Sequence, residues 1–268
     1  MTHVIVHAGF HKTGTTSMQN FLSQNRAALS PYFDYYGQQD FLNAGAAARL
    51  YAQRPFPHRL HRFRKAFRRF LSSIPDHKLI VLSRESFSGG MPGHRKLGGR
   101  MITSYHQAAL KLARVIIAEL RRRFGREVEI TFFYTTRNRE DWIKSVHGHL
   151  LRSIDLTDDL DAFAARFPAL IGPIQEAQRM SGALSPVPVV TAALEDFAST
   201  AHGTAEAILD MAGVPGQVRD KLDPAPHSNQ GQPDHLRDAF LGLNRMTLSK
   251  PERKARKIQL LSPRQTHR

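Results

Sequence analysis

The run His3-Val4-Ile5-Val6-His7-Ala8-Gly9-Phe10-His11-Lys12-Thr13-Gly14-Thr15-Thr16-Ser17 decides the fold. It opens on a short β-branched apolar stretch of the kind that is buried on both faces of a parallel sheet. It closes on a segment, about Thr16 to Leu29, in which Met18, Phe21 and Leu22 fall on one helical face. Between the two lie Gly9 and Gly14, residues that permit unusual dihedrals and a close backbone approach. Strand, glycine loop and helix start in that order aim free N–H groups and the positive end of the helix dipole at one point. The result is a place for an anion. Lys12 adds a point charge to it, and Thr15, Thr16 and Ser17 add hydroxyls.

Outward from this run, the same kind of strand recurs at Leu79–Leu82, Val128–Thr135 and Val187–Thr191. Helix-period segments lie between and after them. One covers Tyr105–Phe124, with Leu112, Val115, Ile116, Leu120 and Phe124 on one face, and another covers Arg139–Arg152. Later ones cover Leu160–Met180, Thr204–Ala212 and Pro233–Met246. Alternation of this kind predicts crossover units. The expectation is a single α/β domain over 1–248, a central parallel sheet of four or five strands flanked by helices. Residues 249–268, basic and broken by prolines, read as an appended tail.

Composition narrows the function. The 268 residues contain no cysteine, which excludes disulfides, thiolate metal sites and cysteine nucleophiles. No apolar run approaches the roughly 18 residues that span a bilayer. The first strand follows directly on Met1-Thr2, leaving no room for a signal peptide, so a cytoplasmic protein is expected. The net charge of +15 draws polyanions, whether nucleic acid, anionic membrane, phosphorylated nucleotides or acidic polysaccharide. The stretch His58–Phe70 is a basic helix with Leu60, Phe63, Phe67 and Phe70 on one stripe. It reads either as an ordinary solvated helix or, with the tail, as a peripheral membrane contact. The histidines lack metal-ligand spacing, and His147 and His149, two residues apart, point to different helix faces. No metal is expected.

Two further strand ends carry chemistry. The third strand runs out into Thr136-Arg137-Asn138-Arg139-Glu140-Asp141-Trp142-Ile143-Lys144-Ser145. Arg137 at a strand tip offers a planar fork to phosphate oxygens, and Ser145 lies two turns into the helix that follows. The second strand ends in Ser83-Arg84-Glu85-Ser86-Phe87. Parallel-sheet enzymes place reactive groups at such ends. Glu85 is therefore either a general base or an acid at a helix start capped by Ser83, and His11 competes for the role of base.

The loop differs from a Walker A sequence, which sets its Lys directly after the second Gly; here Lys12 precedes Gly14. Lys12, Gly14, Thr15, Thr16 and Met18 instead resemble the K-x-G-T-T-x-L/M loop of sulfotransferases dependent on 3′-phosphoadenosine 5′-phosphosulfate (PAPS). Arg137 and Ser145 resemble that family's R-[ND]-P-x-[ED]-x-x-x-S pattern, with Arg139 in place of the proline. The resemblance implies a P-loop-like fold and PAPS as co-substrate, with no metal. It places the 5′-phosphosulfate on Lys12, Thr13, Gly14, Thr15, Thr16 and Ser17, and the 3′-phosphate on Arg137 and Ser145. The string around Glu85 looks like that of carbohydrate sulfotransferases that use a Glu base. The implied acceptor is a hydroxyl or amine of a carbohydrate, anionic glycan or glycolipid, with no nucleic-acid partner. Leu194-Glu195-Asp196-Phe197 resembles a recurring structural element, read as a turn and packing. The loop Pro226–Gly231 matches the family's closing loop poorly. A nucleotide kinase or ATPase is the alternative, against which stand the loop order and the lack of a strand ending in a metal-binding Asp. A basic nucleic-acid binder is the other, and His58–Phe70 is its one candidate element.

Overall fold

A computed structural model describes residues 1–96, 98–166, 171–224 and 233–261. The order is β1 (His3–His7), α1 (Thr15–Gln24), α2 (Arg26–Leu29), β2 (Asp34–Tyr36), α3 (Leu42–Gln53), α4 (Pro57–Ser73) and β3 (Leu79–Ser83). Then follow α5 (His106–Phe124), β4 (Glu129–Thr136), α6 (Arg139–Ser153), α7 (Leu160–Ala165), α8 (Pro173–Leu184) and β5 (Val189–Ala193). The chain ends through α9 (Glu206–Met211), α10 (Gly216–Arg219), α11 (Asp234–Arg245) and α12 (Lys250–Leu261). Short 3₁₀ turns occupy Glu85–Ser88, Glu195–Phe197 and Gly203–Ala205.

The chain divides into two compact units, one of Met1–Arg139 with Ile171–Asn229 and one of Glu140–Leu170 with Gln230–Arg268. The first is the expected α/β fold. Its five strands are all parallel, in the order β2-β3-β1-β4-β5. β1 is central, flanked by β3 and β4, and Val4, Ile5 and Val6 are wholly buried. That burial is why its sequence shows no polar alternation. On one face Ile5, Val81 and Phe133 pack with Phe21 and Leu22 of α1 and with Ile208 and Leu209 of α9. An aromatic cluster of Phe41, Phe63, Phe67, Phe70 and Phe87 joins α3, α4 and the turn after β3. Most of the apolar stripe of the basic helix α4 is thus spent inside the protein, and its cations face out.

The second unit contains α7, α11, α12 and most of α6. The tail read as an appendage contains the helix α12, whose Lys257 is buried. Its ammonium donates to the carbonyls of Leu151 and Ile154, 2.9 Å each, at the C-terminal end of α6. Asn244 of α11 donates to Leu151 and Leu156 at 3.0 and 2.8 Å. No helix among the described residues is long and apolar enough to cross a membrane.

Candidate active site

The topology concentrates chemistry at one edge of the sheet. From β1 the chain builds β2 and β3 on one side, then crosses to β4 on the other. The carboxyl end of β1 is therefore a switch point, where open parallel sheets form their ligand crevice. His7 lies opposite both Ser83 and Phe133 in register, so the segments after β1, β3 and β4 emerge side by side.

The glycine loop is fixed to its neighbours. Backbone pairing runs on past β1, with Ala8 N–H donating to Phe133, Phe10 to Thr135 and Thr135 to Gly9, at 3.1, 3.2 and 2.8 Å. Gly9 has φ +110°, and a Cβ there would lie 3.0 Å from the Ser88 hydroxyl oxygen. That hydroxyl donates to the Ala8 carbonyl. Gly14 has φ +87°, and a Cβ there would meet Leu194 Cδ1 at 2.7 Å. The positive φ favours glycine at both positions, and a side chain would also have to displace Ser88 or Leu194. Lys12 itself takes φ 69°, left-handed backbone unusual for a side-chain-bearing residue.

The loop hydroxyls have separate tasks. Thr13 is wholly buried, donates to the Phe10 carbonyl at 2.7 Å and bonds the Thr135 hydroxyl at 2.6 Å. Its side chain staples the loop to β4. The buried Thr15 donates to Oε1 of Glu85. Thr16 is exposed and Ser17 partly so, in the first turn of α1, where main-chain N–H groups lack helical partners.

Glu85 opens the 3₁₀ turn after β3. Ser83 does not cap that turn: its hydroxyl bonds Nδ1 of the buried His7 at 2.7 Å and accepts from Gln19 at 3.1 Å. Nε2 of His11 lies 3.9 Å from the second oxygen of Glu85, with the two side chains about a quarter exposed. The His11 ring stacks on Tyr105, centroids 5.9 Å apart and planes 6° from parallel. Burial lowers the proton affinity of His11, Glu85 opposes this, and Lys12 and Arg84 add to it. The ring is then neutral at neutral pH. Arg84 is held by the carbonyl of Gln38 and the hydroxyl of Ser86, 3.3 Å each. A Cβ at Gly45 of α3 would collide with the Arg84 Nε, so a side chain there would have to displace the guanidinium.

Arg137 follows directly on β4 and is partly buried. The next residue, Asn138, donates its N–H and side-chain amide to Oε1 of Glu195, 3.0 Å each, fixing the strand exit. Leu194 and Glu195 thus act as packing and turn, as the sequence suggested. Ser145 lies on α6 in the second unit, and Arg137 in the first. Pro226–Gly231 lies outside the described residues. Among the described residues no group of three or more His, Asp or Glu side chains is placed to hold a metal ion.

Sequence reasoning missed the support behind His11. The buried carboxylate of Glu176, on α8, accepts from Ser104 Oγ at 2.7 Å and from Tyr105 N–H at 3.1 Å. It thereby fixes the start of α5 and the ring on which His11 stacks. The signal available was a Glu on the same helical face as Ala177, Met180 and Leu184, visible only as an oddity.

No family model matches the chain, and no curated protein does. Among solved structures, it resembles the crystal structure of retinol dehydratase in complex with androsterone and inactive cofactor PAP. The two share 14% identity, with 97% of this chain and 79% of that chain covered and a TM-score of 0.36. At that degree of likeness the function of this chain has to be read from its own residues.

Proposed function

We propose that this protein is a sulfotransferase that moves a sulfuryl group from PAPS to a hydroxyl or amine of an acceptor. The observation that carries the reading is the convergence of the glycine loop, Glu85 and Arg137 at the carboxyl ends of β1, β3 and β4. In this reading the first amides of α1, Lys12, Thr16 and Ser17 hold the 5′-phosphosulfate, and the backbone of Thr13 to Thr15 closes the cradle. Arg137 takes the 3′-phosphate.

The acceptor oxygen attacks sulfur in line, the bond from sulfur to the 5′-phosphate oxygen breaks, and Glu85 takes the acceptor's proton. Negative charge grows on the leaving phosphate, where Lys12 and the helix amides offset it; such preorganised donors contribute about 3–4 kcal/mol each. Neutral His11, 3.9 Å from Glu85, stands where it can contact the sulfuryl oxygens or the acceptor. A carbohydrate or glycolipid acceptor is supported by the acidic base and the net charge of +15.

Thermal shifts with 3′-phosphoadenosine 5′-phosphate (PAP), AMP and ATP test the reading. PAP is expected to stabilise the protein far more than AMP does, without Mg²⁺. Preferential stabilisation by Mg-ATP would overturn it in favour of a kinase.

A further inference from the structure

A second, open concavity of about 350 Å³ lies away from the sheet edge, where α3, α4 and α5 meet. Its floor is apolar, with the buried Tyr51 and Val115 and the half-buried Leu60, and the exposed Arg64, Lys111 and Arg114 make its rim cationic. Among the described residues that line it there is no carboxylate.

The wall is a built one. Arg54 N–H closes α3 on the carbonyls of Leu50 and Tyr51 at 3.0 and 3.2 Å, and Phe56 N–H donates to Arg54 at 2.8 Å. Pro55 and Pro57, both at the cavity, present no N–H that an apolar occupant would strand. The Tyr51 side chain is almost wholly buried, so the floor is fixed by packing. Lys111 and Arg114 sit one turn apart on α5, both exposed, and Arg64 reaches the same rim from α4.

We infer that this cavity is a binding site for a small amphipathic anion, an aromatic body carrying one sulfonate, sulfate or carboxylate. Charge and shape select this class together. An inorganic anion would leave the apolar floor empty, and a neutral aromatic would leave the exposed Lys111 and Arg114 without a counter-charge, Arg64 already lying 3.8 Å from Glu119. Polyanions need charges repeated along their length, whereas here the cations surround one apolar opening. The volume falls at the lower end of the range for small-molecule sites. The inference stands apart from the sulfotransferase reading, because none of its residues belongs to the loop, Glu85 or Arg137.

The probe is naphthalene-2-sulfonate, whose carbon–sulfur bond makes it neither donor nor product of sulfuryl transfer. Calorimetric titration of the full-length protein saturated with PAP is expected to show one site. Lys111→Ala/Arg114→Ala is expected to weaken it at least tenfold, and Leu60→Asp likewise, by placing a carboxylate on the floor. Arg121→Ala, an exposed arginine farther along α5 and outside this cavity, is expected to leave it unchanged. Neutral naphthalene-2-sulfonamide should bind at least tenfold more weakly. Undiminished binding to the double variant, or equal competition by inorganic sulfate, overturns the proposal. Loss of PAP binding in wild type with naphthalene-2-sulfonate binding intact would overturn the sulfotransferase reading alone.

Discussion

Replacing Thr13 with Val separates two roles that the sequence runs together. Valine has nearly the same shape, so no cavity opens, and only the hydroxyl is lost. In the folded protein that hydroxyl donates to the Phe10 carbonyl at 2.7 Å and bonds the Thr135 hydroxyl at 2.6 Å, with Thr13 and Thr135 wholly buried. Phe10 O loses a donor it cannot replace from water. The Thr135 hydroxyl keeps a longer bond, 3.3 Å, to the Gly9 carbonyl. An unsatisfied buried acceptor costs about 1–3 kcal/mol, so with one group stranded and one half-compensated the loss is about 2–3 kcal/mol. For a chain of this size that corresponds to a melting temperature lower by roughly 5–10 °C. Urea unfolding gives the first number and a thermal scan the second. PAP affinity, measured by calorimetry well below the transition, should stay within about threefold, because the lost group faces β4 and not the anion. Thr16→Val should do the reverse: stability within about 0.5 kcal/mol, PAP about tenfold weaker. If Thr13→Val leaves stability intact and abolishes PAP binding, the hydroxyl belongs to the ligand, and the division of labour in the loop is refuted.

Glu85→Gln should lower turnover roughly 100-fold with PAP affinity nearly unchanged, the scale of a lost general base; near-normal turnover would move the role to His11. Arg137→Ala should weaken PAP by about 2 kcal/mol and AMP much less, since AMP lacks the 3′-phosphate; equal losses for the two nucleotides would make Arg137 structural. Burial pushes His7 down to about 3 from an ordinary 6.5, so the unfolded chain takes up a proton there at a pH where the folded protein does not. Its contribution to stability is complete above pH 6.5 and is lost as the pH falls toward 3, at up to about 1.4 kcal/mol per unit. Urea midpoints at pH 7, 5.5 and 4.5 should therefore fall less steeply in His7→Asn than in wild type, and parallel slopes would remove His7 as the cause.

Legibility in the sequence followed the kind of burial. The strands β1, β3 and β4 are visible because a strand covered on both faces must be apolar throughout; β5, an edge strand largely open to solvent, shows only through its β-branched run. β2 was missed: it is Asp-Tyr-Tyr at the sheet edge, too short and too polar to carry a pattern. α3 was missed because its buried side is Ala44, Gly45, Ala47 and Ala48, small residues that admit Arg84 and make no contrast with the exposed side. α12 read as a loose tail because its buried residue is Lys257, not a row of leucines. At the site, the motifs located the loop, Glu85 and Arg137, since each lies at the end of a visible strand. Glu176 and Tyr105 stayed hidden, because 71 positions separate them in the chain and only the packing of α8 beside α5 joins them.

A row of hydroxyls in a sequence is not a row of ligands in space. Thr13, Thr15, Thr16 and Ser17 flank Gly14, whose left-handed φ of +87° turns the chain sharply between loop and helix. Before the turn, Thr13 lies in the loop that leaves the β1–β4 pairing after Phe10, and its hydroxyl meets that of Thr135. After it, α1 has begun and successive side chains are rotated by about 100°, sending Thr15 inward to Glu85 and leaving Thr16 exposed. One buried hydroxyl thus fastens the loop to β4, and a second fastens it to the acid after β3. Both bonds cross more than 60 residues of sequence. Their combined effect is to fix the position of Glu85 relative to the first amides of α1. The proposed in-line transfer needs that relation, because in it the group that takes the proton and the groups that receive the leaving charge must lie on opposite sides of one sulfur atom.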